Sequence, residues 1–312
     1  STQRQRELGE LSDLPIGSAE QALFRAVARV AGSGHRVRFG CCAEPTGDAT
    51  VLCPERRDCG LPKSRHPRRC AWLRLPAQRR RVEATQSTTI NWADSLDDVP
   101  PGPMVLVANE FLDALPVRQL VKTPQGWRER MVVPEGERFI CVAGQQPMDA
   151  AVPEARRDAA DGTIIETCPG AAATVYEVAG RLMEQGGAAL FIDYGHDQLR
   201  DGSTLQAVRQ HLKVDPFVNP GEADLTAHVD FELLQHVAVE NGADLMGLQY
   251  QGEWLIQMGI DTRMEMLRRR APYDRDKFQR QRDRLVKESE MGTLFKVLGM
   301  CGRRWPFGVG FQ

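Results

Sequence analysis

The chain has 312 residues, with 40 basic and 42 acidic side chains and a formal net charge of −2 at pH 7. This near balance gives no indication of a protein that binds nucleic acid or a membrane surface. No apolar run approaches the roughly 18 residues of a membrane span, and the polar start lacks the apolar core of a signal peptide. We therefore expect a soluble protein, intracellular or processed for an organelle.

The composition and the pattern of apolar residues change at about residue 88. After that point, apolar runs, turns and helix signals alternate as they do in α/β proteins. Before it, residues 32–86 are crowded with Arg, Pro, Cys and Gly. We therefore expect an atypical N-terminal part at residues 1–88 and an α/β domain at residues 89–312, with an insertion at about 118–160.

Five of the eight cysteines lie between positions 41 and 70, which raises the question of a zinc site. No Cys-x2-Cys pair occurs with a second matching pair or with a His-x3-His. Because ligand spacing is the specific signal, free thiols are the simpler interpretation and no metal site is expected.

The basic segment at residues 56–81 has one aromatic residue, Trp72, and is broken by three prolines. Single-stranded nucleic acid needs stacking aromatics as well as charge, so a solvated segment is favoured over a nucleic-acid site.

The periodicity of apolar residues predicts the following elements in chain order. The first are a helix at residues 19–31, capped by Ser18, and short strands at 37–39 and 88–92. Next come a central strand at 104–108, a β-hairpin at 118–121 and 128–133, a third strand at 139–142, a helix at 171–184 and a buried strand at 188–192. Last are a second hairpin at 245–250 and 254–258, and charged helices at 262–270 and 275–289.

Polar residues follow both predicted central strands. Asn109, Glu110 and Asp113 come after the first, and Asp193 and His196 come after the second. A strand, a helix and a second strand predict a parallel sheet, in which ligands bind at the carboxyl ends of the strands. Simpler roles remain open, because Asn109 and Glu110 would also suit a helix cap and His196 an ordinary loop.

Asp113 has the alternative of facing solvent on a short turn. His228 and Asp230 suit an orienting pair, although capping of a helix that begins near Phe231 is the more economical role for Asp230.

The run Asn-Glu-Phe-Leu-Asp-Ala-Leu-Pro-Val-Arg at residues 109–118 resembles the signature of the MidA-type methyltransferases, which include a mitochondrial complex I assembly-factor arginine methyltransferase. Further similar segments lie at residues 191–196, 204–208, 220–231, 251–253 and 291–298. Together these segments extend over most of the chain after residue 89.

The resemblance implies a Rossmann-like class I methyltransferase sheet with a β-hairpin insertion and helical C-terminal segments. It also implies S-adenosylmethionine as cofactor and a protein arginine as substrate, in the mitochondrial member on a subunit of respiratory complex I. Such a protein would work in the cytoplasm of a bacterium or in the mitochondrial matrix of a eukaryote. The sequence leaves its oligomeric state open.

The chain departs from the family pattern where the cofactor is expected to bind. The family has a loop of the form Glu-Leu-Gly-Pro-Gly-Arg-Gly and an acidic residue at the end of its second strand. Here, Gly40, Glu44 and Gly47 are the candidates for a makeshift loop, Asp193 is a further cofactor candidate, and the candidate second strand at 72–76 has no acidic residue. A shifted reading frame between positions 12 and 86, or true divergence, would explain the difference.

A mechanism follows from the residues that match. A guanidinium is a planar, forked cation, best held by carboxylates that accept two hydrogen bonds each. Glu110 and Asp113 are the candidates, with Asn109 contacting substrate or cofactor, and their main contributions are positioning and assistance of proton loss. The alternative function is a catalytically silent relative that binds a partner but not the cofactor. A hydrolase using Asp193 and His196 lacks a nucleophile elbow.

Overall fold

The computed structural model describes residues 35–40, 48–53, 90–92, 96–136, 138–209, 212–303, 305–306 and 308–311. Of Asp97, only the backbone is described. The side chains of residues 35–40, 48–53 and 90–92 are likewise not described. The expected helix at 19–31, the candidate second strand at 72–76 and most of the N-terminal cysteines lie outside these residues. The structure therefore bears mainly on the chain after residue 96.

The main sheet contains eight strands. They are β1 (His35–Gly40), β2 (Asp48–Cys53), β3 (Ile90–Trp92), β4 (Met104–Asn109), β9 (Gly187–His196), β13 (Val229–Asp230), β14 (Asp244–Tyr250) and β15 (Phe295–Cys301). Seven of them follow the order β14-β15-β9-β4-β2-β1-β3, and β13 pairs with β9.

The predicted parallel pair at the centre is confirmed, since β4 and β9 run parallel from Met104 opposite Gly187 to Asn109 opposite Ile192. The sheet as a whole is mixed, however, because β2 is antiparallel to β4 and β15 is antiparallel to β9. β15 enters at the edge where β9 ends, with Phe295 opposite Tyr194, so it has to run in the opposite direction.

Two helices cover one face of this sheet. They are α1 (Pro169–Gln185), which confirms the helix expected at 171–184, and α2 (Phe231–Glu240). Both present fully buried side chains to the main core, among them Val175, Leu182 and Phe231. These pack on apolar strand residues such as Leu106 and Phe191. The apolar spacing in the sequence therefore found this core correctly.

A separate four-stranded sheet forms over residues 118–167, which include the insertion expected at about 118–160. Its strands are β5 (Arg118–Thr123), β6 (Gly126–Glu135), β7 (Arg138–Pro147) and β8 (Ile164–Thr167), in the order β7-β6-β5-β8. The predicted hairpin is confirmed, with Thr123 opposite Gly126 across a two-residue turn. Trp127 is completely buried in the small core beneath the sheet, together with Leu120 and Ile165.

A three-stranded sheet lies between the insertion and the C-terminal part. It contains β10 (Gln206–Arg209), β11 (Leu212–Val214) and β12 (Asp224–Thr226), all antiparallel. The chain then enters β13, so the end of β12 lies close to the carboxyl end of β9.

The second expected hairpin is wrong. Strand β14 is present at 244–250, but residues Gln251–Gln257 form a helix, α3. Trp254 and Met258 are four residues apart and pack against Leu190 and Val297 of the sheet, so the apolar spacing here is helical. Glu253 in the first turn also favours the helix, because a negative charge there complements the helix dipole.

The two charged segments that follow form helices, as expected. They are α4 (Ile260–Arg270) and α5 (Arg275–Val286), and neither contains a fully buried residue. Among the helices of the described residues, none is long and apolar enough to cross a membrane.

Candidate functional site

The turn after β4 carries the three candidate catalytic residues. Most of β4 is buried because the strand lies inside the sheet, and Asn109, its last residue, is partly exposed. Glu110 follows with φ of 47°, a left-handed conformation that costs a residue other than glycine roughly 1–2 kcal/mol. Its N–H donates to the carbonyl of Ile192 at 2.9 Å, which ties the turn to the neighbouring strand.

Asp193 stabilises this turn from β9. Its Oδ2 atom accepts hydrogen bonds from the backbone N–H groups of Phe111 at 3.1 Å, Leu112 at 2.9 Å and Asp113 at 3.2 Å. Its Oδ1 atom accepts from the N–H of Tyr194 at 3.0 Å. Both oxygens of this buried carboxylate are therefore engaged with the chain itself, so a contribution of Asp193 to cofactor binding would act through the turn.

Asp113 is buried, which differs from the solvent-facing alternative considered for it. The residue is 2% exposed, and among the described residues neither of its carboxylate oxygens has a well-formed hydrogen bond. Its backbone carbonyl accepts from the N–H of Ala227 at 3.0 Å, which brings the end of β12 against the turn. The Tyr194 phenol and the N–H of Ala114 interact with this carboxyl group without reaching the geometry of a well-formed hydrogen bond. A buried carboxyl group with only such weak partners is costly, and it is well suited to receive a cation or a donor from a ligand.

Glu110 lies beside Asp113 and is half-buried. Asn109 Nδ2 donates to Glu110 Oε1 at 3.4 Å, a long contact that orients the carboxylate. Burial and then the charge of Asp113 raise the pKa of Glu110, while the Asn109 hydrogen bond and the positive charge of Arg284 act in the opposite direction. Arg284 comes from α5 and was not anticipated from the sequence.

The two aspartates are also electrostatically linked. Burial raises the pKa of Asp113, with the Tyr194 phenol opposing the shift. Burial, followed by repulsion from Asp113, raises the pKa of Asp193 well above its usual range. Three carboxyl groups therefore share one edge of the sheet, and this arrangement favours a positive ligand that would relieve their mutual repulsion.

Aromatic residues enclose the site on the side of β9. Tyr194 meets His228 edge-on with 5.5 Å between ring centroids, and its hydroxyl accepts from Gln206 Nε2 at 3.4 Å. Burial raises the pKa of Tyr194. Burial, followed by the positive charges of Arg200 and His196, lowers the pKa of His228 to about 4. His228 is therefore neutral at physiological pH.

The other polar residues near the second strand end have structural roles. Asp230 caps α2 by accepting from the N–H of Leu233 at 3.0 Å, as the economical alternative predicted. Its Oδ1 atom lies 3.9 Å from Nδ1 of His196. The Nδ1 of His196 also lies 2.9 Å from the carbonyl oxygen of Gln198, a contact within the loop that follows β9. This contact suits the ordinary loop role considered for His196.

The candidate loop residues are only partly described. Gly40 is the last residue of β1 and pairs with Asp48. Glu44 and Gly47 lie outside the described residues. Within the described part of the chain, no group of three or more His, Cys, Asp and Glu side chains is arranged to hold a metal ion.

Comparison with known proteins identifies the family. The profile of the family described as "Putative S-adenosyl-L-methionine-dependent methyltransferase" matches residues 73–249, more than half of the chain. The chain belongs to this methyltransferase family. The match begins within the N-terminal part that the composition sets apart, and S-adenosylmethionine is the cofactor of the family.

Curated relatives of this methyltransferase are mitochondrial protein arginine methyltransferases named NDUFAF7. The protein of Rattus norvegicus is 37% identical over 219 residues, 68% of this chain and 49% of the relative. That of Homo sapiens is 36% identical over 231 residues, 72% of this chain and 51% of the relative. The chain thus spans about half the length of these curated relatives.

Solved structures support the same fold. A crystal structure from Burkholderia thailandensis bound to S-adenosyl-homocysteine has a TM-score of 0.60 and 31% identity, and the match covers 71% of this chain and 58% of that one. A second structure from this organism has a TM-score of 0.60 and 33% identity, with 68% and 58% covered. The Rossmann-like methyltransferase fold expected from the sequence is therefore confirmed.

The described edge of the sheet suits the cofactor of the family. S-adenosylmethionine carries a positive sulfonium and a positive amino group, and the edge offers the carboxylates of Glu110 and Asp113. The buried Asp113 oxygens, which within the described residues have only weak hydrogen-bond partners, are the structural observation that supports this fit. The backbone donors expected to meet the cofactor carboxylate fall at residues 41–47, outside the described part.

Proposed function

We propose that this protein transfers a methyl group from S-adenosylmethionine to an arginine side chain of a protein substrate. The observation that carries the proposal is the placement of Glu110 and Asp113 on one turn at the carboxyl edge of the parallel pair β4 and β9. A wound sheet of this type binds its ligands at that edge. The names of the curated relatives support an arginine as the acceptor.

Each residue of the turn has a role in this proposal. Glu110 accepts two hydrogen bonds from the guanidinium, and Asn109 orients the Glu110 carboxylate through the contact of 3.4 Å. Asp113 lies behind Glu110 and supplies a second negative charge. Bound S-adenosylmethionine supplies the electrophilic methyl group. When a guanidinium nitrogen accepts that group, one of its protons must leave, and the raised pKa of Glu110 makes this carboxylate a better acceptor for it.

We also propose that Gly40, Glu44 and Gly47 contribute a loop that contacts the cofactor. Glycines allow the backbone to approach a ligand closely, and Glu44 offers an acceptor for ribose hydroxyls. Replacement of Glu44 by alanine should weaken S-adenosylmethionine binding without changing the melting temperature. Unchanged affinity in this variant would contradict the proposal for Glu44.

The substrate and the compartment are further proposals. By its resemblance to the complex I assembly-factor methyltransferase, the chain is proposed to act on a subunit of respiratory complex I. The curated relatives are mitochondrial, so the matrix is the proposed location in a eukaryote and the cytoplasm in a bacterium. The family match and the relative bound to S-adenosyl-homocysteine do not favour a catalytically silent protein.

Two measurements test the proposed function. Calorimetric titration with S-adenosylmethionine should show saturable binding at one site. Incubation with methyl-labelled S-adenosylmethionine and an arginine-containing peptide should then transfer label to the peptide, and replacement of its arginine by lysine should abolish the transfer. Cofactor binding with no methyl transfer to any arginine peptide or protein would contradict the proposal that arginine is the methyl acceptor. Absence of cofactor binding would contradict the proposed function as a whole.

A further inference from the structure

Helices α4 and α5 form a strongly basic hairpin next to the candidate site. Residues 260–287 contain ten basic and five acidic side chains, whereas the whole chain has a net charge of −2. The ten basic and five acidic side chains give this basic hairpin a net charge of +5, within a chain that is slightly acidic as a whole.

Most of the acidic side chains of the basic hairpin are already paired within it. Arg282 contacts Asp261 at 2.8 Å and joins the two helices. Arg268 contacts Glu265 at 2.8 Å, and Lys287 contacts Asp283 at 2.8 Å. Three of the five acidic side chains are thus paired with three of the ten basic ones. The seven other basic side chains outnumber the two other acidic ones.

The excess cations on α5 lie on one face of the helix. Lys277, Arg280 and Arg284 are spaced three and four residues apart, and all three are exposed. Within the described part of the chain, none of them forms an ion pair. With a rise of about 1.5 Å per residue, this cationic stripe is about 10 Å long, the length of roughly three residues of extended chain.

After the end of α5, where the cationic stripe ends, the chain continues through residues 287–294 into β15, and Phe295, the first residue of β15, lies opposite Tyr194 at the candidate site. The positive charge of Arg284 acts on the Glu110 carboxylate and opposes the rise of its pKa. A positively charged arginine that approaches Glu110 must therefore come close to Arg284. Additional cations beside that arginine would be repelled by the stripe, while carboxylates beside it would be attracted.

We propose that the cationic stripe of Lys277, Arg280 and Arg284 binds an acidic segment adjacent to the arginine that is methylated. This proposal rests on the proposed function and narrows its substrate class to arginines in acidic sequence, as opposed to arginine-rich repeats. Nucleic acid suits the stripe less well, because Phe278, the aromatic residue between Lys277 and Arg280, is partly buried, and Tyr273, at the tip between the two helices, precedes the stripe.

Three fluorescein-labelled peptides of equal length test the proposal. Each has one central arginine in a glycine and alanine background, flanked on one side by four Glu, four Gln or four Lys. Binding to the full chain with S-adenosylmethionine present is measured by fluorescence anisotropy at low and high salt. From three partly screened surface pairs, we expect the Glu peptide to bind about tenfold more tightly than the Gln peptide at low salt, and the Lys peptide to bind least.

Matched charge-reversal variants identify the surface. Lys277→Glu combined with Arg280→Glu should abolish the preference for the Glu peptide. The control, Arg138→Glu combined with Arg303→Glu, makes the same change in net charge at two exposed positions outside the basic hairpin and should retain it. Thermal melts check that both variants are folded. Equal affinity for the Glu and Gln peptides, or equal loss in both variants, would overturn the proposal.

Two further readouts separate this proposal from the proposed function. A preference for the Glu peptide without methyl transfer would support the cationic stripe and contradict the enzymatic function. Methyl transfer at equal kcat/KM to all three peptides would support the function and contradict the stripe. Tighter binding of a labelled oligouridine than of the Glu peptide would indicate that the stripe binds nucleic acid and not an acidic segment, and would overturn the proposal.

Discussion

The Oδ2 atom of Asp193 lies 2.9 Å from the backbone nitrogen of Leu112, although the two residues are 81 positions apart in the chain. The same oxygen accepts from the N–H groups of Phe111 and Asp113. One buried carboxylate at the end of β9 thus holds the turn that carries the candidate catalytic residues of β4. The geometry of Glu110 therefore depends on a residue that does not need to contact the substrate.

Replacement of Asp193 by alanine should destabilise the protein by about 3 kcal/mol, because it leaves several buried N–H groups without an acceptor. Relief of the repulsion between Asp193 and Asp113 offsets part of this loss. Denaturant unfolding monitored by circular dichroism measures the change. Asp193→Asn retains an acceptor oxygen and should lose less. A loss below about 1 kcal/mol for the alanine variant would show that the turn does not depend on these bonds.

Replacement of Glu110 by glutamine should reduce methyl transfer to arginine by at least about 100-fold, since positioning and proton acceptance are both lost. The melting temperature should stay close to that of the wild type, because the side chain is only half-buried, and saturating S-adenosylmethionine removes any effect of weaker cofactor binding from the comparison. Transfer of label from S-adenosylmethionine measures activity, with Glu154→Gln as a control on the insertion. Turnover like that of the wild type would refute the assignment of Glu110.

The left-handed backbone at Glu110 predicts a difference between two inactive variants. Glu110→Gly should be more stable than Glu110→Ala by about 1 kcal/mol, because glycine adopts positive φ without steric cost. Neither variant has the carboxylate, so both should lose methyl transfer. Equilibrium unfolding of the pair under the same conditions isolates the backbone contribution. An alanine variant as stable as the glycine variant would show that Glu110 is not strained.

The carboxyl cluster predicts a dependence of stability on pH. The pKa of Asp113 and that of Asp193 are raised in the folded state, so between pH 4 and neutral pH the folded state binds more protons than the unfolded state. The stability from these groups is present below the unfolded pKa and is lost as the pH rises. Asp113→Asn removes one charge and lowers the pKa of Asp193 through reduced repulsion.

We therefore expect the unfolding free energy of Asp113→Asn, relative to wild type, to increase as the pH rises from about 4 to 7. Urea titrations at several pH values give this difference. Groups present in both proteins, such as His228, largely cancel from it. A constant difference across this range would contradict coupling between the two aspartates.

His228 should titrate far below an ordinary histidine. Burial lowers the pKa of His228 to about 4, so the stability that its neutral form contributes is present above pH 6.5 and is lost as the pH falls through 4. Histidine ring resonances followed by NMR between pH 3.5 and 8 give the midpoint directly, and His228→Gln assigns the resonance. A midpoint near 6.5 would show that this ring is solvated and not packed on Tyr194.

The sequence identified the elements whose patterns are local. The parallel strands β4 and β9, the helix α1 and the first hairpin all follow from apolar periodicity and turn residues. The same approach failed at Gln251–Gln257, because a short apolar segment next to a strand fits both a strand and a helix. Contacts of Trp254 with Leu190 and Val297 decide that case, and those contacts join distant parts of the chain.

The acidic residues after β4 were found from the sequence because a buried strand that ends in polar residues indicates a sheet edge. That pattern is local and does not depend on which strands pair with β4. The sequence alone therefore determined the class of fold and the position of the candidate site. Only the tertiary structure showed that Asp113 is buried, that Asp193 holds the turn and that Arg284 acts on Glu110. Burial and charge interactions depend on the distance between side chains in space, and residues more than 80 positions apart meet here only once the sheet and its helices have assembled.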